Sequence, residues 1–206
     1  FDSGFPVDFT TARQFASSSD WFTYARLITG KELQLNSAGG QSGASDYTFD
    51  SNVGWGKGQD SSSVQSWMWK RHAGFDVQFY TGNGTAGKQV LHSLSKTPEM
   101  IWVKKTSTGN WRVGHEGLNG GTNPWTYNIQ IESGAESAST NFNNTAPTSV
   151  HFSLGSGGDV NESSSTFLAF LFASVTGISK VGYFDGSNSD LTITTGFSPR
   201  FLIVKA

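Results

Sequence analysis

Short runs of β-branched and aromatic residues, broken every few positions by Gly, Ser, Asn or Pro, set the pattern of this chain. Met100-Ile101-Trp102-Val103, Asn128-Ile129-Gln130-Ile131, the run from Phe167 to Phe172 and Leu202-Ile203-Val204 each have the length and composition of a strand. Asn128 to Ile131 alternates polar and apolar, which suits a strand with one buried face. Phe167 to Ala173 is apolar throughout, the mark of a buried strand, and far too short to span a bilayer. Asn83-Gly84 and Asp185-Gly186 are hairpin-type turn dipeptides, because these residues accept positive φ. Pro6, Pro98 and Pro199 each precede a strand core, where a missing N–H costs little. The nearest approach to a helical stripe, Phe9 to Leu27, is interrupted by Ser17-Ser18-Ser19-Asp20. The pattern predicts an all-β chain of tandem β-sandwich modules, jelly-roll-like, in place of an α/β or helical fold.

The same strings recur along the chain. Ser66-Trp67-Met68-Trp69, running into Gly74, lies over Ala169-Phe170-Leu171-Phe172, running into Gly177. Past the Gly, Val77-Gln78-Phe79-Tyr80 lies over the segment Lys180 to Phe184 with a one-residue adjustment. Thr97-Pro98-Glu99-Met100-Ile101 then meets Ser198-Pro199-Arg200-Phe201-Leu202, and a third copy of that element opens the chain at Phe5-Pro6-Val7-Asp8-Phe9. Ser19-Asp20-Trp21 parallels Gly109-Asn110-Trp111. Three ordered elements at nearly constant spacing predict repeated supersecondary units. The expected division is the back part of one repeat at 1–73, a whole repeat at 74–176 and the front part of a third at 177–206. A permuted cut at the proline strands gives modules of about 1–92 and 93–195. Glu99 matches Asp8 in the first copy and Arg200 in the third, and this charge reversal fits a solvent-facing strand position.

Composition narrows the class. Charged residues make up 15% of the 206, the net charge is -2, and there are 16 Phe and 7 Trp. So much aromatic mass supports a folded core, although Gly and Ser are abundant. The balanced charge leaves little for counterion-driven nucleic-acid binding, and none is expected. Lys70-Arg71-His72, the longest basic cluster, reads as a solvated strand end. Cysteine is absent, which excludes disulfides and thiolate metal sites. No membrane insertion and no cofactor are expected.

No motif of enzyme chemistry stands out. His72, His92, His115 and His151 lack ligand spacing, no Gly-x-Ser-x-Gly elbow occurs, and Gly120-Gly121-Thr122 is not followed by a helix that would bind phosphate. Asp185 to Asp190 lacks the order of a calcium loop and reads as a hairpin turn. The most suggestive binding feature is the loop from Asn119 to Tyr127. Trp125 and Tyr127 there have the chemistry to stack on a sugar, and Asn119 and Asn123 to bond its hydroxyls. The competing expectation is that Trp125 caps the end of a sandwich and packs inward.

Gly74-Phe75-Asp76-Val77, Tyr80-Thr81-Gly82-Asn83-Gly84-Thr85, Thr97-Pro98-Glu99-Met100-Ile101, Asn110-Trp111-Arg112-Val113, Asn143-Asn144-Thr145-Ala146-Pro147 and Gly158-Asp159-Val160-Asn161 form one connected string. It resembles an uncharacterised domain that recurs in tandem in large structural proteins of tailed phages, marine phages and cyanophages in particular. The resemblance implies a virion-surface or extracellular location. It implies a tail-fibre, receptor-binding or adhesion role without catalysis, self-association (homotrimers are common for such fibres), contacts with other virion proteins and a host cell-surface glycan as ligand. Capsid decoration and an extracellular bacterial filament or adhesin are the alternative structural roles. A polysaccharide-degrading tailspike is the enzymatic alternative and would need a carboxylate pair in a groove.

Overall fold

A computed structural model describes residues 1–15, 18–57, 63–186 and 189–205. Ser17, and Ser187 and Asn188 of the acidic turn, lie outside the described residues. The strands run in chain order as β1 Phe9–Gln14, β2 Phe22–Ala25, β3 Lys31–Gln34, β4 Ser42–Gly43, β5 Tyr47–Thr48, β6 Gly56–Lys57, β7 Val64–Trp69, β8 Phe75–Thr81, β9 Lys88–Leu91, β10 Met100–Lys105, β11 Arg112–His115, β12 Tyr127–Gln130, β13 Ser137–Ala138, β14 His151–Leu154 and β15 Thr166–Phe172. One helical turn, α1, spans Gly158–Asn161. The chain is all-β, as its pattern predicts. No helix among the described residues is long and apolar enough to cross a membrane.

Two antiparallel sheets carry the architecture. The first has the order β4-β3-β2-β1-β7 and the second β13-β12-β11-β10-β15-β8; β9 pairs with β14, and β5 with β6. The sheets follow one plan. β1 is flanked by β2 and β7 as β10 is flanked by β11 and β15. The detail extends to single bonds. Asp8 N–H donates to Trp69 O and Arg26 N–H to Asp8 O, both at 2.9 Å; Glu99 N–H donates to Phe172 O and Glu116 N–H to Glu99 O, also both at 2.9 Å.

The sheets pack face to face. Phe9, Ala25, Ile28 and Leu33 of the first half meet Phe75, Val77, Trp102, Trp111, Leu168 and Phe170 of the second in one core. Each large side chain buried there contributes about 1.5–3 kcal/mol. The outer face of the second sheet has its own core, in which Ile101, Val103, Phe167, Ala169 and Leu171 meet Val90, Phe142, Phe152 and Val160 from the β9–β14 layer and its loops. The outer face of the first sheet is covered by Val7, Phe49 and Trp55. This layering explains why β15 is apolar from Phe167 onward. Successive side chains point to opposite faces, and both faces are cores.

Gly74 turns the chain from β7 in the first sheet to β8 in the second. Its φ is +88°, and a Cβ there would lie 2.8 Å from Ser179 Oγ and 3.1 Å from Ala173 O, so only glycine fits. Two expectations are corrected. Asn83-Gly84 makes a turn but not a hairpin, because β8 pairs with β15 while β9 pairs with β14. Asn83 instead accepts Thr85 N–H on its own side chain and donates its N–H to Asn161 Oδ1. Leu202-Ile203-Val204, which reads as a strand, has no ladder partner among the described residues and is exposed, Leu202 at 75%. Its sequence match, Ile101-Trp102-Val103, is buried because β11 and β15 flank it.

Candidate functional site

The loop singled out for sugar contacts is built inward. Leu118–Gly121 and Pro124–Thr126 form short 3-10 turns joined through Asn119 and Asn123, whose φ values of 52° and 48° lie in the left-handed region that Asn tolerates. Trp125 is 7% exposed and lies edge-on to Phe142 at 5.7 Å between ring centroids. It also lies over Gly114, where a Cβ would come within 2.7 Å of the indole. Trp125 is therefore turned inward against Phe142, the packing that the sequence offered beside a sugar contact. The half-buried Tyr127 begins β12. Asn119 donates its side-chain amide to Thr122 O and its backbone N–H to Glu136 Oε2, while Asn123 is exposed and its carbonyl accepts from Thr126 Oγ1. Of the four, Trp125 is buried, Asn119 and Tyr127 are half-buried, and Asn123 is exposed. Tyr183 lies across Gly117 and Gly121 of the same loop.

Polar chemistry concentrates elsewhere, in a cleft of about 310 Å³ lined by Asp8, Arg71, His72, Phe75, Asp76 and Ser93 where the two sheets meet. Asp76 is 1% exposed. Its Oδ1 accepts from Arg71 Nε and Val77 N, both at 2.9 Å. Its Oδ2 accepts from Gln78 Nε2 at 2.8 Å, Ser93 N at 2.7 Å and Ser93 Oγ at 3.1 Å. Burial alone would raise this carboxyl. The bonds from the Ser93 backbone, Gln78 and Arg71, with the Arg71 charge, outweigh burial and hold it below the usual range. All its lone pairs are occupied, so it ties β8 to the β9 loop and has nothing left to offer a ligand.

One further buried polar group, Lys104, and the half-buried Arg112–Asp159 pair follow the same rule. Lys104 lies under the β10–β11 loop and donates to Lys105 O, Ser107 O and Gly109 O. Burial pulls its pKa down to about 8, while Glu132 and Asp159 act in the other direction. Arg112 donates from Nε and Nη2 to Asp159 Oδ2 at 2.9 and 2.7 Å, and Asp159 also receives Asn110 N–H. Among the described residues no three His, Asp or Glu side chains gather as metal ligands would.

The remaining unusual surface is a strand edge. Among the described residues β7 ends the first sheet with no strand beyond it; its side chains are half-buried or exposed, and Phe201 packs against Trp67 and Trp69 at 5.3 Å. β15 holds the same place in the second sheet, carries β8 along its whole length and is buried over Phe167–Leu171. Sequence reasoning missed this edge and the Asp76 cluster. The only signal for the cluster was Arg71 and Asp76 flanking the Gly74 turn. Residues 50–206 match a family described as a domain of unknown function (DUF7483), a span that takes in β7, the whole second sheet and the C-terminal segment. No curated protein and no solved structure matches the chain.

Proposed function

We propose, for a chain that belongs to the DUF7483 family, a structural role as a segment of a virion fibre or adhesin, assembled from repeated β modules and presenting loops to a host surface. The observation that carries this reading is the common plan of the two sheets. Both centre on a strand that follows a proline, both place the same backbone bonds at the Asp8 and Glu99 positions, and they are joined through a single core. Repetition of a unit that buries its face against a neighbour is how elongated proteins extend without enlarging a globule. The polar clusters support a mechanical task. Asp76, Lys104 and Asp159 are engaged by backbone and side-chain partners that pin loops to strands. On this reading the modules are 1–73, 74–176 and the opening of a third from Gly177, and the ligand of the presented loops is a cell-surface glycan.

The test is immunogold electron microscopy of the particle or cell that carries the chain, with an antibody raised against the folded protein. Gold along fibres or at a tail tip is the expected outcome. Gold spread evenly over a capsid would replace the fibre role with decoration. Gold confined to a bacterial surface would move the role to a cellular adhesin.

A further inference from the structure

We propose that the open edge of β7 is a docking site for a second copy of this chain, which adds its residues Val181–Asp185 as the missing sixth strand of the first sheet. The second sheet supplies the template. There β8 pairs with β15 in the register Val77 with Phe170, Gln78 with Ala169, Phe79 with Leu168, Tyr80 with Phe167 and Thr81 with Thr166. β7 is the counterpart of β15, as their common pairing with β1 and β10 shows. Val181-Gly182-Tyr183-Phe184-Asp185 is the counterpart of Val77-Gln78-Phe79-Tyr80-Thr81 once the one-residue adjustment is made.

The acceptor edge lacks a ladder partner among the described residues, and the donor segment is held only by local contacts that docking would exchange for a ladder: Val181 N–H donates to Ser174 Oγ at 3.0 Å, and Tyr183 lies across Gly117 and Gly121. Ala173 N–H, at the end of β15, donates outward to Gly74 O. The same alternation turns the N–H groups of Val64, Ser66 and Met68 away from β1, along an edge that no described strand covers. On the donor side, Tyr183 is 56% and Phe184 48% exposed, and the segment belongs to no strand. The faces match as well. Tyr80 packs against Phe167 in the outer core of the second sheet, so Phe184 would meet Val64 and extend the outer core that Val64 and Met68 border. Val77 faces the shared core beside Phe170, so Val181 would meet Trp67, where it would displace Phe201 of the C-terminal segment, which lies 5.3 Å from that ring. Strand addition at an open edge gives affinity through the main chain and specificity through alternate side chains. Donor and acceptor are different surfaces, so the contact is head-to-tail and propagates into a row. The inference rests on the repeated-module reading but not on a virion location.

The chain has no cysteine, which makes disulfide trapping clean. Phe79 and Leu168 are opposed at a non-hydrogen-bonded site of the ladder, where Cα atoms lie about 4.5 Å apart, within disulfide reach. Their counterparts are Tyr183 and Gln65, both exposed. The full chain is prepared as Gln65→Cys and as Tyr183→Cys, and the two are mixed under mild oxidation. The expected result is a linked product at twice the 22.2 kDa chain mass in the mixture and only a trace in either variant alone. The double variant should give a ladder of higher multiples. An equal amount of dimer from Gln65→Cys alone would mean that β7 pairs with another β7, and would overturn the proposal. So would a double variant that closes only within its own chain, or an unlinked mixture whose far-ultraviolet spectra show both variants folded. Copy-to-copy linkage says nothing about location, so failure here and failure of the immunogold test are separately readable.

Discussion

Asp8 and Glu99 stand at the same point of the two sheets and perform the same task. Asp8 Oδ2 accepts Arg71 N–H at 2.8 Å, and Glu99 Oε2 accepts Ser174 N–H at 2.6 Å. Arg71 and Ser174 both follow the strand that flanks the acid's own, so each carboxylate locks the exit of its sheet. The charge pattern alone suggested a solvent-facing position, because Arg200 occupies the third copy. The geometry corrects this for the first two copies, where the side chains are half-buried acceptors.

Glu99→Ala removes the acceptor of both Ser174 N–H and Ser174 Oγ. Ser174 is only half-buried, so water recovers part of the loss, and a cost of about 1 kcal/mol is expected. For a chain of this size that lowers Tm by about 2–4 °C. Glu99→Gln retains a carbonyl oxygen and should restore most of it. Thermal unfolding followed by circular dichroism decides, and an unchanged Tm in Glu99→Ala would remove the locking role.

What the sequence made legible was local. Phe167 to Phe172 declared a buried strand, because no other element of six apolar residues needs both faces dry. Asn128 to Ile131 declared a half-buried one through its alternation, and its first residue is the buried Asn128, which receives Arg112 Nη1 and Asn141 Nδ2. The illegible parts depend on which distant segments meet. Trp125 in a loop carries the same residue signal whether it faces water or Phe142, and Phe142 arrives from beyond β13. The donors to Asp76 come from three stretches of chain, and none of Arg71, Gln78 or Ser93 is a motif by itself. Leu202-Ile203-Val204 has strand chemistry, but a strand needs a ladder, and that is a property of partners.

Asp76 makes stability depend on acid. Its folded pKa is depressed below the ordinary 3.8, so its contribution is fully present above that value and is lost as pH falls through the lower, folded pKa. Urea midpoints should therefore fall as the solution is taken below pH of about 4. Asp76→Asn keeps the shape, loses the charge-assisted bond to Arg71, and should unfold earlier at neutral pH with a flatter acid limb. An acid limb of unchanged steepness in Asp76→Asn would show that other carboxylates carry it.

Trp125 separates a packing role from a binding role by its effect on the fold. Trp125→Ala empties the space between Gly114 and Phe142 and should cost about 3–5 kcal/mol, as large-to-small changes of buried aromatics do. Trp125→Phe should cost a fraction of that. A residue held out to stack on sugar would do the opposite, with alanine leaving the unfolding curve in place. Denaturant titration of the two variants beside the parent chain reads the difference directly.

Trp111 tests whether the two sheets are one cooperative unit. It is fully buried in the shared core, stacks over Phe170 at 6.0 Å, and sends its indole Nε1–H across to Gln34 O of the first sheet at 2.8 Å. Trp111→Phe keeps most of the ring and loses the cross-sheet bond, at about 1 kcal/mol. Trp111→Ala also opens a cavity where the sheets meet, at about 3–5 kcal/mol. The parent chain should unfold in one transition, coincident by tryptophan fluorescence and far-ultraviolet circular dichroism. In Trp111→Ala the two probes should separate, because the first sheet then keeps only the small outer core around Trp55, whereas the second retains its larger one. Coincident transitions in Trp111→Ala, shifted but not split, would mean that coupling between the sheets runs through the Asp76 cleft as much as through the apolar face.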